Sequence, residues 1–97
     1  MPNGSKPQID THEALSLATA CAKRGELEAA MIHLKGLLAV DPEHEIATGM
    51  LAAIYAQLNM TGRAVEYFRR VLAINPQNPL ARAQLELLER SGKPLNP

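Results

Sequence analysis

AVEYFRRVLAINPQNP, residues 64–79, carries two instructions in succession. Ala64, Val65, Phe68, Val71 and Leu72 recur at intervals that return to one face of a helix. The run then meets Asn75-Pro76. Proline cannot continue a helix, and it disfavours the helical conformation in the residue before it. AMIHLKGLLAVDPEHE, residues 30–45, reads the same way and stops at Asp41-Pro42. The two prolines lie 34 residues apart.

The rest of the chain has the same helical period. Asp10, with Glu13 three residues later, predicts a capped first helix ending near Gly25, with Ala14, Leu17, Ala18 and Cys21 on its buried face. A second helix is predicted from about Glu26 to Ala39, with Leu27, Ala30, Leu34, Leu37 and Leu38 as its stripe. The third runs from about His44 to Leu58, with Leu51, Ala52 and Tyr55 inward, and Asn59 supplies a left-handed turn. Thr61 is the expected cap of the fourth helix. Asn78-Pro79 opens a fifth that ends near Gly92. Nothing alternates with period two, so the fold class is all-α. Residues 1–8 and 92–97, rich in Pro, Gly, Asn and Ser, read as disordered tails around a domain at 9–91.

Composition narrows the function classes. Ninety-seven residues make one domain at most. The chain is 46% hydrophobic with 3% aromatic residues, so its core must be aliphatic. Ten basic residues balance ten acidic ones, which leaves no electrostatic reason to expect nucleic acid or an anionic membrane as partner. A single cysteine forms no internal disulfide. The N-terminus lacks an apolar signal region, and no apolar run approaches the roughly 20 residues of a bilayer span. A cytoplasmic location is the expectation.

Sliding the chain by the proline interval aligns Leu17 with Leu51, Ala18 with Ala52, Ala22 with Ala56, Ala30 with Ala64, Leu38 with Leu72 and Pro42 with Pro76. Leu34 with Phe68, Leu37 with Val71 and Asp41 with Asn75 are close substitutions. This helix-turn-helix unit resembles the tetratricopeptide repeat. Ala18 and Ala52, Ala30 and Ala64, and Pro42 and Pro76 match its small, alanine and proline positions. Tyr55 and Phe68 fit aromatic positions where Cys21 and Leu34 depart from them, and Ala14 and Thr48 stand where tryptophan is usual. The resemblance covers residues 11–91. It implies a right-handed solenoid of helical hairpins with five antiparallel helices: repeat 1 at 11–44, repeat 2 at 45–78 and a capping helix at 79–91. Glu86 and Glu89 occupy the close-contact and aromatic positions of that last helix. Burying them under another helix would be costly, so a polar outer face that ends the array is expected.

The resemblance also implies a concave groove lined by first helices. By position its residues are His12, Leu15, Thr19 and Ala22, then Ile46, Gly49, Met50, Ala53, Ala56 and Gln57, then Leu80, Ala83, Gln84 and Leu87. This face is apolar where a solvated one would carry charge. Gly49 inside a helix costs about 1 kcal/mol relative to alanine, which suggests a close backbone approach. The expected function is a non-enzymatic interaction module that holds an apolar or amphipathic helical segment of another protein. The alternative is a structural homo-oligomerisation module, a homodimer for instance, in which the apolar face is buried between copies. The carboxylate clamp that some members use on acidic tails needs Lys, Asn and Arg where this chain has Leu15, Thr19, Met50, Leu80 and Gln84.

Other constellations are weak. His12, His33 and His44 lack metal-ligand spacing, so no metal or other cofactor is expected. Cys21 reads as an inert core residue with no basic partner placed to stabilise a thiolate. Arg63, Arg69 and Arg70 fall on a second helix, outside the groove, and read as a solvated face. No phosphate loop or nucleophile elbow is present, and no enzyme is expected.

Overall fold

Asn75 is extended, with φ −140° and ψ 94°, and its N–H donates to the carbonyl of Val71 at 2.7 Å. Asp41 repeats this at φ −130° and ψ 84°, donating to Leu37 at 2.8 Å. Both helices therefore end under the same local rule, set by the proline that follows. The computed structural model describes residues 10–91, and the tails expected at 1–8 and 92–97 lie outside them. Five helices follow in order: α1 (Thr11–Lys23), α2 (Leu27–Val40), α3 (Glu45–Gln57), α4 (Thr61–Ile74) and α5 (Pro79–Ser91). No strand occurs among the described residues. The protein is an all-α, helical-hairpin repeat.

Tertiary contacts divide the chain into two compact units after Pro42. The first is the α1–α2 hairpin. Its turn is a Schellman motif: Glu26 N–H donates to Cys21 O at 2.8 Å and Gly25 N–H to Ala22 O at 3.0 Å, with Gly25 at φ 79°. Asp10 starts α1 by accepting from the N–H groups of His12 and Glu13 at 3.0 and 3.2 Å. Ala18, Ala30, Leu34 and Leu37 are fully buried, with Ala14 and Cys21 beside them. One expectation fails here. Leu17 is 44% exposed, because α1 has one packing partner in this hairpin and Leu17 lies on the flank that α2 leaves open.

The second unit packs α3, α4 and α5. Its first turn is again a Schellman motif, with Met60 N–H to Tyr55 O at 2.9 Å, Asn59 N–H to Ala56 O at 3.0 Å and Asn59 at φ 61°. Met60, not Thr61, is the N-cap of α4, and no side chain caps it. The turn places residue 60 both at the end of one motif and at the start of the next helix, so Thr61 is already helical. Ala52 and Ala64 are fully buried, as are Ala47 and Leu51; Phe68, Val71, Ile54 and Tyr55 complete this core. Buried Thr48 donates its hydroxyl to His44 O at 2.8 Å, which satisfies it inside the helix.

The α5 helix is fixed at its start. Asn78 Oδ1 accepts from Ala81 N–H at 2.9 Å as its cap, and Ala81 and Leu85 are buried. The Glu45 carboxylate accepts from Asn75 Nδ2 at 2.8 Å and from Asn78 Nδ2 at 2.6 Å. The first residue of α3 is thereby tied to both ends of the α4–α5 turn. The Asn78 amide first, then that of Asn75, holds the Glu45 carboxyl below its ordinary range.

Candidate functional site

Within the second unit, α3 and α5 border a hollow of about 330 Å³ over α4. Ala53, Ala56 and Gln57 come from α3, three or four residues apart and so on one face. Leu80 and Gln84 come from α5 at the same spacing, and the ring of Phe68 lies at the base. Two alanines on α3 keep that side low, while the Glu45 tie holds the start of α5 in place. Every lining residue is uncharged. Only the amides of Gln57 and Gln84 can exchange hydrogen bonds with a ligand's polar groups through their side chains.

The other residues expected at the groove distribute as follows. Ile46, Leu80 and Leu87 are exposed at 60%, 61% and 54%, so apolar surface continues on both helices. Ala83 is exposed and Met50 half-buried. Gly49 lies on α3 above α4. A Cβ there would meet Val71 Cγ2 at 3.8 Å, ordinary contact with α4, so no close backbone approach requires glycine among the described residues. In the first unit, Leu15 and Thr19 line a separate open hollow with His12, Ser16, Ala20 and Lys23. The Thr19 hydroxyl donates to Leu15 O at 2.8 Å, and Ala22 is half-buried on the same helix. Phe68 was legible as core but not as the base of the α3–α5 hollow, because no local pattern brings an α4 ring against Ala53 and Ala56 of α3.

The model of the tetratricopeptide repeat family matches residues 22–85, more than half of the chain. The chain belongs to the tetratricopeptide repeat family. Curated proteins offer no match to it. Tetratricopeptide repeats generally mediate protein–protein interaction, and the family is typically a non-enzymatic interaction module. The buried alanine pairs Ala18 with Ala30 and Ala52 with Ala64 are the family's small positions in both copies.

The remaining chemistry of this tetratricopeptide repeat protein is surface chemistry. Arg69 pairs with Glu89 of α5 at 2.6 Å, and Arg70 pairs with Glu66 at 3.0 Å while lying over the Tyr67 ring at 4.5 Å. All four charged groups are exposed, and such pairs contribute about 0–1 kcal/mol. Glu86 is exposed and reaches Arg90 at 3.4 Å. Cys21 is buried as expected, but it does have a basic neighbour: Arg24 Nη2 lies 3.9 Å from its sulfur, one turn along α1. The same guanidinium pairs with Glu26 at 3.1 Å. His44 serves as the α3 cap, its Nδ1 accepting from Ala47 N–H at 3.1 Å. Among the described residues, no three His, Cys, Asp or Glu side chains gather as a metal site, and no helix is long and apolar enough to cross a membrane.

Proposed function

We propose that the second unit captures an apolar or amphipathic helical segment of a partner protein in the hollow between α3 and α5. The observation that carries this reading is the uncharged lining, Ala53, Ala56, Gln57, Phe68, Leu80 and Gln84, in a unit whose exposed ion pairs, Arg69–Glu89 and Arg70–Glu66, lie outside the hollow. Ligand carboxylates or ammonium groups would lose hydration there and gain no counter-charge. An apolar anchor loses nothing, and each large side chain buried contributes about 1.5–3 kcal/mol before ordering costs. Exposed Leu80, Ile46 and Leu87 extend the apolar surface beyond the hollow, which suits anchors spaced along a helix. Leu15, Thr19 and Ala22 offer a further contact surface in the first unit.

The probe is a fluorescent, leucine-striped amphipathic helical peptide, and the readout is anisotropy. A short hollow with few anchors predicts micromolar rather than nanomolar binding. Ala53 is exposed, so Ala53→Arg should keep helicity and melting while abolishing peptide binding. Equal binding by this variant removes the hollow as the site. Tight binding of extended but not helical peptides would remove the helical partner.

A further inference from the structure

The open flank of the first hairpin differs in kind from the matching surface of the second. Leu17, Ile32, His33 and Gly36 line a hollow of about 370 Å³ there, with Asp10 and Glu13 at its edge. Ile32 is 70% exposed and Leu17 is 44% exposed. One repeat further on, Ile32 becomes Glu66 and Gly36 becomes Arg70, and those two form an exposed ion pair at 3.0 Å. The same two positions therefore suit water in one hairpin and an apolar cover in the other. Leu51, the counterpart of Leu17, is fully buried.

The charges along α1 say what the cover is. Glu13 and Leu17, four residues apart, share one face of α1, and the caps Asp10 and Arg24 stand seven residues before and after Leu17. Acidic groups stand at one end, and at the other stands the Arg24 guanidinium, whose exposed pair with Glu26 at 3.1 Å holds it weakly enough to share; Leu17 lies midway between Asp10 and Arg24. Such a stripe is complementary to itself when reversed. With two copies of α1 set antiparallel and Leu17 on the two-fold axis, Asp10 and Glu13 of each copy meet Arg24 of the other. Ala14 and Ala20 flank Leu17 with small side chains, which permits close approach. Ile32 then covers the seam from α2 in both copies.

We infer that this flank is a self-association surface and that its occupant is a second copy of the chain, joined by an isologous, antiparallel pairing of α1. The inference concerns the first unit alone and does not rest on the α3–α5 reading.

Sedimentation velocity on the full chain, from micromolar to millimolar concentration, reads it directly. The wild type should move from monomer mass toward dimer mass as concentration rises. Ile32→Glu with Gly36→Arg transplants the ion pair that the second hairpin already carries, so helicity should persist. It also forces that charged pair out of water at the seam and removes the apolar cover, and should weaken self-association by roughly a hundredfold. Glu13→Arg should weaken it as well, and Glu13→Arg with Arg24→Glu should restore it, because the interchange keeps the stripe self-complementary. Monomer mass throughout overturns the inference and leaves the flank to residues 1–9 or to a different protein. A dimer indifferent to Ile32→Glu with Gly36→Arg overturns it too, and failure of the double charge interchange to rescue overturns the antiparallel register.

Discussion

Ala52 and Ala53 are neighbours on α3 with opposite environments: Ala52 is fully buried and Ala53 is exposed. The same substitution at each isolates packing from helix propensity, because leucine and alanine differ little as helix formers. Ala52→Leu adds three carbon atoms at a fully buried position in a unit whose α4 contributes the equally buried Ala64. No cavity receives them, so side chains must leave their rotamers or the helices must separate. Overpacking of this kind costs about 1–3 kcal/mol. At about 2 kcal/mol, a domain of this size should melt on the order of 10 °C lower. Ala53→Leu projects the same atoms into the open hollow and should stay within about 0.5 kcal/mol of wild type. Thermal denaturation followed by circular dichroism compares the pair. Equal melting of both variants would refute the argument that close helix crossing demands alanine at position 52.

Phe68→Ala should cost about 3–5 kcal/mol by leaving a cavity under α3 and α5, read by chemical denaturation. Two glycines should respond in opposite directions to alanine. Gly25→Ala forces a side chain to φ 79° and should destabilise by about 1–2 kcal/mol, whereas Gly49→Ala has room beside Val71 and should stabilise by up to about 1 kcal/mol. Glu45 gives a pH dependence. Its folded pKa is depressed by the Asn78 and Asn75 amides, so its contribution is present above the ordinary carboxylate range and is lost as pH falls through the lower folded value. The protection factor of the Ala81 amide, which removes the intrinsic slowing of exchange at lower pH, should fall on acidification in the wild type, and Glu45→Ala should show that lower protection already at neutral pH.

The parts of the fold that were legible from sequence are those decided within a few residues. Asp41-Pro42 and Asn75-Pro76 end their helices locally, and Gly25, lacking a Cβ, and Asn59 adopt left-handed conformations that these two residue types tolerate. The buried alanines follow from the repeat itself. Leu17 was not legible, because leucine is equally suited to the covered place that Leu51 occupies and to an open flank. The Met60 cap was hidden because backbone geometry, not a side-chain oxygen, sets it. Glu45 meets Asn75 and Asn78 across 30 and 33 residues, a separation at which no local pattern speaks. The α3–α5 hollow was half legible: periodicity gave the two faces, and the depth above Phe68 required the fold.

The most direct measurement is amide and methyl chemical-shift mapping of the labelled chain, titrated with the leucine-striped helical peptide. Saturable shifts should concentrate on Ala53, Ala56, Gln57, Leu80 and Gln84. Saturable binding that leaves those five signals in place, or no binding at millimolar peptide, would contradict capture in this hollow.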